Sequence, residues 1–467
     1  MLRESDQETI AAISTPIGEG GIGIIRLSGK DALAIADKIF KPKKGSSVLH
    51  QKSFTVQLGH VMAVQEGGSL KIVDEALILV MRAPKSYTRE DVVEISAHGG
   101  IAALRAILEL TLKAGARLAA RGEFTKRAFL NGRIDFLQAE AVLDLVKAKT
   151  EPAREWAVSQ LEGGLSNKIK DIKDELLNIL SHLEASIDFP EDMPETDPSA
   201  KIEERLNELI EKIKIILSSS ALGLIAKTGL KIVIAGRPNV GKSSLMNQLT
   251  KKNRVIVTPH AGTTRDVVEE EIQIGGFPVR LLDTAGIQET GHPIEREGIK
   301  RSKLAVSEAD LVLYVLDGSQ AMHAEDRTLL SALDPKKRFI VINKSDLTLK
   351  LDKLRLVKDF QHTMIAETSC VNENGLSELE EKIFGFITNG KIQPFDVPVI
   401  TTTRQKDFLE KALKNIDDAG KACRDSLSPE LVAVDIRLAL GSLGALVGDV
   451  LNNDMLECLF NQFCIGK

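Results

Sequence analysis

The stretch KIVIAGRPNVGKSSLMNQLT, residues 231–250, decides the fold of the central part of the chain. The apolar run KIVIA precedes the pattern G-x-x-x-x-G-K-S, formed by Gly236, Gly241, Lys242 and Ser243, and an apolar helical segment follows it. This order predicts a strand, a phosphate-binding loop and a helix. The two glycines allow backbone N–H groups to surround phosphate oxygens, Lys242 adds positive charge, and Ser243 offers an oxygen to Mg²⁺. The stretch therefore predicts a nucleotide-binding α/β domain.

Two motifs farther along the chain indicate which nucleotide is bound. DTAG (283–286) follows an apolar strand-like run, so Asp283 can support Mg²⁺ and the Gly286 N–H can sense a γ-phosphate. NKSD (343–346) ends another such run. Asp346 can accept two hydrogen bonds from the N1–H and amino group of guanine, and adenine offers no such pair of donors. The motifs therefore predict GTP or GDP as the ligand.

Two further segments complete the predicted nucleotide site. TPHAGTTRD (258–266) stands where a loop closes over the γ-phosphate, with Thr264 as a second Mg²⁺ ligand beside the phosphate-loop serine. TSC (368–370) places Ser369 and Cys370 near the base. The predicted GTP-binding residues are Asn239, Val240, Gly241, Lys242, Ser243, Ser244, Thr258, Thr263, Thr264, Asp283, Thr284, Ala285, Gly286, Asn343, Lys344, Asp346, Ser369 and Cys370.

The residue after DTAG bears on how water is positioned for hydrolysis. Ras-type GTPases have glutamine there, whereas this chain has Ile287. The downstream segment offers Glu289, Glu295 and Glu297, any of which can orient water directly or through a second water. The residues alone leave the choice among these three acids open.

The rest of the chain divides by its apolar pattern. Residues 1–118 alternate short apolar runs with helical segments and predict an α/β domain, whereas 119–219 and 389–467 show mainly helical periodicity. The nucleotide-binding domain occupies 220–388 between them. The sequence thus predicts a multidomain α/β plus α-helical protein, in which a Ras-like P-loop GTPase domain is inserted into a helical domain.

Composition narrows the class of protein. Of the 467 residues, 43% are apolar and 27% charged, which is typical of globular protein rather than disorder. The net charge of −5 provides no global positive field for nucleic acid, so RNA contacts are expected to be local or shared with a partner. No apolar run approaches the roughly 20 residues that span a bilayer, and the first residues lack a signal-peptide core. We expect a cytoplasmic protein without a membrane association.

The motifs GRPNVGKSS, TPHAGTTRD, DTAGIQETGHPIEREGI, ARGEFTKRAFLNGRIDFLQAEAVLDLV and FCIGK together resemble the MnmE (TrmE) family of tRNA modification GTPases. The resemblance implies that K⁺ stands where other GTPases receive an arginine finger. Its ligands would be Asn239, Thr258, the backbone carbonyl of His260, and Thr263. The family's water-orienting glutamate aligns with Glu295. Because the family completes its ion site when two GTPase domains meet, the resemblance also implies a homodimer.

The resemblance implies a second site, for a tetrahydrofolate that donates one carbon. Arg26, Glu94 and Arg133 match folate-contacting positions of the family, and Lys467 would reach the same site. Glutamate suits the amide-like edge of a pterin, and cationic side chains suit its carboxylate tail. Arg133 departs from the usual lysine of the family. Cys464 would lie beside the one-carbon donor and is a candidate catalytic thiol.

The resemblance also implies the reaction. With an FAD-containing partner like MnmG (GidA), the chain would add an aminomethyl or carboxymethylaminomethyl group to C5 of the wobble uridine (U34) of certain tRNAs. The alternative is a GTP-dependent conformational switch in ribosome or ribonucleoprotein assembly, without modification chemistry. A folate-dependent transferase with a vestigial GTPase is a third reading, against which the intact guanine and Mg²⁺ motifs argue.

Overall fold

The computed structural model of the chain describes residues 8–65, 68–188, 199–253, 269–283, 304–388, 390, 399–449 and 453–467. The chain divides into two compact units. The first unit comprises Met1–Val146, Gln160–His182 and Ile436–Lys467, and the second comprises Lys147–Ser159 and Leu183–Asp435. The domain boundaries expected at residues 118, 219 and 388 stay predictions.

The first unit contains a seven-stranded sheet with the order β3-β4-β5-β6-β2-β1-β7. Its strands are β1 (Ile10–Ile13), β2 (Gly23–Ser28), β3 (Phe40–Pro42), β4 (Thr55–Val64), β5 (Leu70–Met81), β6 (Val92–Ala97) and β7 (Arg117–Leu118). All neighbours are antiparallel except β1 and β7. Apolar side chains on one face of the sheet, such as Ile25, Ile78 and Ile95, are buried with Leu104 and Ile107 from a helix that covers them. Because these side chains lie on the same side of the sheet, the sheet has one buried face.

The described helices follow the chain in a simple order. They are α1 (Ala32–Ile39), α2 (Ile101–Lys113), α3 (Glu123–Leu130), α4 (Phe136–Lys147), α5 (Glu151–Leu161), α6 (Gly164–Asp188), α7 (Ser199–Ser218), α8 (Ser220–Thr228), α9 (Lys242–Asn253), α10 (Ala324–Ala332), α11 (Lys353–Asp359), α12 (Leu376–Thr388), α13 (Thr403–Arg424), α14 (Pro429–Val447) and α15 (Asn453–Phe460). Among the described residues, none of these helices is both long and apolar enough to cross a membrane.

The second unit contains a six-stranded sheet with the order β13-β12-β11-β8-β10-β9. Its strands are β8 (Leu230–Ala235), β9 (Glu269–Ile274), β10 (Phe277–Asp283), β11 (Leu311–Asp317), β12 (Arg338–Asn343) and β13 (Met364–Glu367). Every pair is parallel except β9 with β10. All seven side chains of β11 are buried, which explains its uninterrupted apolar sequence. The strands expected from KIVIA and from the apolar runs before DTAG and NKSD are confirmed as β8, β10 and β12.

Helices before and after this sheet pack against each other. α7 precedes the α/β domain and α13 follows it, and the two helices are in extensive contact. Arg424 at the end of α13 donates to Glu203 of α7 at 3.3 Å. The chain therefore leaves a helical region, forms the α/β domain and returns to the same helical region. The predicted architecture, an α/β domain inserted into a helical domain, is confirmed.

Candidate functional site

The phosphate-binding loop connects β8 to α9 and depends on three residues with positive φ. Gly236 and Gly241 have φ values of 145° and 100°, and Asn239 has 64°. A Cβ atom on Gly236 would lie 2.4 Å from the Val315 carbonyl oxygen, and one on Gly241 would lie 2.1 Å from the Asn343 amide nitrogen. The backbone angle disfavours a larger residue at both glycines, and a Cβ atom would also meet a backbone oxygen at Gly236 or displace the Asn343 amide from its bond to Val240 at Gly241. These glycines allow the turn that exposes successive N–H groups.

Two oxygen groups meet at the start of α9. Ser243 Oγ donates to Asp283 Oδ2 at 2.7 Å, where Asp283 is the last residue of β10. A hydroxyl and a carboxylate are ligands that Mg²⁺ prefers. Lys242 Nζ donates to the Arg237 carbonyl at 2.9 Å. Burial lowers the pKa of Lys242, and the nearby Asp283 carboxylate partly offsets this effect. The residues present therefore fit a magnesium ion and a phosphate group.

The NKSD motif follows β12 and is bonded directly to the phosphate-binding loop. Asn343 Nδ2 donates to the Val240 carbonyl at 2.9 Å. Lys344 Nζ donates to the Asn239 carbonyl at 3.0 Å and to Asp317 Oδ2 at 2.6 Å. Burial by itself raises the pKa of Asp317, but the hydrogen bond from Lys344 contributes to holding that pKa below its usual range. The phosphate and base parts of the predicted site thus form one connected structure.

The loop after β13 completes the base side of this site. Ser369 Oγ donates to Asp346 Oδ1 at 2.6 Å, which fixes the carboxylate predicted to read guanine. The Cys370 thiol donates to Asn343 Oδ1 at 3.4 Å, and burial raises its pKa. Gln248 Nε2 on α9 donates to the Cys370 carbonyl at 2.8 Å. The structure therefore brings together the motif residues predicted from three separate segments.

Some predicted residues cannot be placed in this way. Thr258, His260, Thr263, Thr264, Thr284, Ala285, Gly286, Glu289, Glu295 and Glu297 lie outside the described residues. Ser244 is described and is exposed on α9. The K⁺ ligands, the second Mg²⁺ ligand and the water-orienting acid therefore stay predictions, apart from the position of Asn239 in the phosphate-binding loop.

A second group of predicted residues gathers in the first unit around two aromatic rings. Arg26 and Glu94 are cross-strand partners on β2 and β6, and Arg26 Nε donates to Glu94 Oε1 at 2.7 Å. The Arg26 guanidinium lies 5.7 Å from the ring centre of Tyr87 and 5.6 Å from that of Phe124. The Arg133 guanidinium lies 4.7 Å from the Tyr87 ring centre. Cation–π contacts of this kind hold the two arginines near one ring.

A cavity adjoins Tyr87 and Arg133. Its volume is about 450 Å³, and its lining includes Phe54, Met81, Lys85, Tyr87 and Arg133. This volume lies in the range of small-molecule pockets, and the lining combines apolar, aromatic and cationic groups. Such a lining fits a flat heteroaromatic ring that carries an anionic tail, which is the chemistry of a reduced folate.

The C-terminal residues pack against the start of α3. Phe124 N–H donates to the Lys467 carbonyl at 3.2 Å, and Gly122 N–H donates to the Cys464 carbonyl at 3.4 Å. The Phe124 ring is the one that lies beside the Arg26 guanidinium. The Cys464 side chain is exposed. Phe124 therefore connects the Lys467 backbone to Arg26, one of the other three predicted folate residues.

Four residues of these sites were not identified from the sequence. Tyr87 and Phe124 join the folate candidates, Asp317 anchors Lys344, and Gln248 anchors the loop after β13. The only available signals were the position of Phe124 inside ARGEFTKRAFLNGR and the Asp-Gly turn after the LVLYVL run. Neither signal specifies a contact.

Comparison with known proteins gives matches along nearly the whole chain. A family described as "MnmE helical domain" matches residues 136–464, and one described as "GTP-binding protein TrmE N-terminus" matches residues 9–133. A protein of Thermoanaerobacter pseudethanolicus is 45% identical, over 98% of this chain and 99% of its own length. Proteins of Lactobacillus acidophilus and Bacillus velezensis are 44% and 43% identical, over 98% of this chain and 98% and 100% of their own lengths. All three are named tRNA modification GTPase MnmE.

Proposed function

The chain belongs to the MnmE family of tRNA modification GTPases, and on that basis we propose that it is a K⁺-dependent GTPase modifying U34 of certain tRNAs. With an FAD-containing, MnmG-like partner, it adds an aminomethyl or carboxymethylaminomethyl group to C5 of that uridine in the cytoplasm. The observation that carries the nucleotide part is the bonding of Lys344 to the phosphate-binding loop. The residues proposed to bind the base and those proposed to bind the phosphates then form one hydrogen-bonded site.

In the phosphate part of the site, different groups bind the phosphates and the magnesium ion. Backbone N–H groups of the loop and the Lys242 ammonium bind the phosphates, with Lys242 exchanging the Arg237 carbonyl for phosphate oxygens. Ser243, together with the predicted ligand Thr264, holds Mg²⁺, which neutralises charge on the phosphates. Asp283 keeps the serine hydroxyl oriented through their 2.7 Å hydrogen bond.

A monovalent cation is assigned to the loop residue Asn239 and to the predicted ligands Thr258, His260 and Thr263. When K⁺ is replaced by Na⁺ at equal ionic strength, the GTPase rate should fall by a factor on the order of 10³, the effect of losing an arginine finger. Equal rates in the two salts would remove this mechanism.

Glu295 is assigned to orient the attacking water. Glu295→Ala should retain GTP binding and lose turnover, measured as phosphate release at saturating GTP. Glu289→Ala and Glu297→Ala are the matched controls, because they remove acids from the same segment. If either control loses turnover and Glu295→Ala keeps it, the assignment belongs to that other acid.

The folate site is assigned to the cavity lined by Tyr87 and Arg133, together with Arg26, which lies beside the same Tyr87 ring, and its partner Glu94. The proposal is supported by the Arg26–Glu94 pair, which offers a carboxylate to a pterin edge, and by Arg133, which offers charge to an anionic tail. Arg133→Met should weaken binding of 5-formyltetrahydrofolate in equilibrium dialysis, whereas Arg133→Lys should keep most of it. Equal binding by Arg133→Met and the unmodified chain would exclude this residue. Cys464, exposed on the tail, is assigned as the candidate catalytic thiol.

A homodimer is supported by an apolar face in the first unit. Val56, Leu58 and Leu77 are 56%, 44% and 45% exposed, and Leu58 and Leu77 are cross-strand partners on β4 and β5. Exposed apolar side chains gathered on one sheet face are typical of an interface. Leu58→Glu with Leu77→Glu should shift the mass in analytical ultracentrifugation from dimer to monomer, and an unchanged mass would place the interface elsewhere.

The modification itself is tested in cells. In a strain that lacks this protein, nucleoside analysis of tRNA should show loss of the C5 substituent from wobble uridine, and the intact gene should restore it. Unchanged wobble nucleosides together with a defect in ribosome assembly would favour the switch function instead.

A further inference from the structure

Cys370 is held at two points of the base-side loop. Its carbonyl accepts a hydrogen bond from Gln248 Nε2 on α9, at 2.8 Å. Its thiol donates to Asn343 Oδ1 at 3.4 Å, and Asn343 in turn donates to the Val240 carbonyl at 2.9 Å. One residue of the loop is therefore tied both to the helix and to the loop that bind the phosphates. This leaves its backbone little freedom to rotate.

The N–H groups at this point of the loop are free to meet a ligand. Those of Ser369 and Asn372 are satisfied inside the loop, at 3.0 and 3.2 Å. Those of Cys370 and Val371 meet no acceptor among the residues that the structure describes. In a trans peptide the Val371 N–H points opposite to the Cys370 carbonyl, and so away from Gln248. Two neighbouring donors are thus available beside the Asp346 carboxylate.

The chemical pattern of this loop matches one edge of guanine. Guanine presents a carbonyl, O6, beside the N1–H and amino donors, whereas adenine presents an amino group where guanine has O6. Asp346 accepts from the donors of guanine, and the two free N–H groups can donate to an acceptor such as O6. An adenine base at the same place would turn its amino group, a donor, toward the two N–H donors of the loop.

We propose that Gln248 is a positioning residue for guanine selection, which holds the Cys370 carbonyl so that the N–H groups of Cys370 and Val371 donate to O6 of the base. This inference rests on the proposed guanine-binding role of the surrounding motif residues. Ser369 orients Asp346 toward the N1 and amino side of the base, and Gln248 controls the O6 side. The two sides of base recognition are therefore governed by different residues.

The separate roles of Gln248 and Ser369 can be measured with three nucleoside diphosphates, because a diphosphate has no γ-phosphate to hydrolyse. Dissociation constants of GDP, IDP and 6-thio-GDP are determined for the full-length chain by competition with a fluorescent GDP. IDP lacks the amino group that Asp346 reads, and 6-thio-GDP replaces O6 by the poorer acceptor sulfur. The variants are Gln248→Leu, Ser369→Ala and, as matched control, Asn247→Leu, whose side chain is exposed at the preceding position of the same helix.

Gln248→Leu should reduce the preference for GDP over 6-thio-GDP about fivefold, the effect of one neutral hydrogen bond, and leave the preference over IDP unchanged. Ser369→Ala should reduce the preference for GDP over IDP and leave the preference over 6-thio-GDP unchanged. Asn247→Leu should change neither preference. Gln248→Glu provides a second variant without a donor should the leucine variant fail to fold. The same loss for all three nucleotides, or no loss, would overturn the role of Gln248 and leave guanine binding intact. Equal binding of GDP and ADP by the unmodified chain would instead refute the guanine assignment itself.

Discussion

The Glu123→Gln substitution should destabilise helix α3, which supports both Phe124 and the C-terminal tail. Glu123 is nearly buried, and its carboxylate accepts four hydrogen bonds. Arg117 donates to both carboxylate oxygens at 2.6 and 3.1 Å, the Ala120 N–H donates at 2.7 Å, and Arg127 donates at 2.9 Å. Glutamine keeps one acceptor oxygen but turns an NH₂ group toward donors. The substitution therefore removes the charge and breaks at least part of this set.

The expected loss of stability depends on the hydrogen-bond partners that Arg127 keeps. Its side chain is 3% exposed, so its charge has almost no access to water. Removing one partner of a buried ion pair costs about 3–5 kcal/mol. Arg127 still donates to Glu90 at 3.1 Å and to the Glu8 carbonyl at 2.8 Å, which keeps its charge partly compensated. We therefore expect the lower end of that range, about 3 kcal/mol for local opening of α3.

Hydrogen exchange measures this local free energy. Backbone amides of residues 124–130 should exchange on the order of 100-fold faster in Glu123→Gln, because 1.4 kcal/mol corresponds to a factor of ten. Glu151→Gln is the control, since Glu151 pairs with Arg154 on an exposed part of α5 and its loss should leave exchange unchanged.

The pH dependence gives the result that would refute the reasoning. Burial by itself raises the pKa of Glu123, but the hydrogen bonds from Arg117, Ala120 and Arg127 outweigh it and hold the pKa below its usual value of 4.5. The stabilisation is therefore complete above pH 4.5 and is lost as the pH falls through the lower, folded value. The difference between the two proteins should shrink below pH 4.5. A difference of less than threefold at neutral pH, or one that persists unchanged in acid, would contradict the ion-pair account.

Three further outcomes are expected. Gly466→Ala would place a Cβ atom 2.3 Å from the Ile13 carbonyl oxygen at a φ of 95°, so the tail should detach and 5-formyltetrahydrofolate should bind more weakly in dialysis. Trp156→Ala should cost about 3–5 kcal/mol, because the buried ring packs 6.0 Å from Phe277, and limited proteolysis should then cut near α5. Because burial raises the pKa of Cys370, its alkylation by iodoacetamide should be slower than that of a free cysteine at pH 8 and should accelerate at higher pH, as followed by mass spectrometry.

Local sequence was sufficient for the nucleotide-binding domain. A phosphate-binding loop takes its N–H groups from consecutive residues, so the stretch from Gly236 to Ser243 contains the whole loop. The apolar runs before Asp283 and Asn343 predicted strands correctly, because β12 is buried along its whole length and the last three residues of β10 are buried in succession, so neither run shows polar alternation there. The helical segments on either side of this domain were equally visible from their periodicity.

Contacts between distant residues required the tertiary structure. The pairing of Arg26 with Glu94 depends on the register of β2 and β6, and the stacking of Tyr87 beside Arg133 depends on how α3 meets the sheet. The hydrogen bond from Gln248 to the loop after β13 joins residues 122 positions apart. The sequence by itself determined the local elements and the motifs within them, because these depend on neighbouring residues. The three-dimensional fold alone decided which side chains from separate elements meet, because strand register and helix packing set those distances.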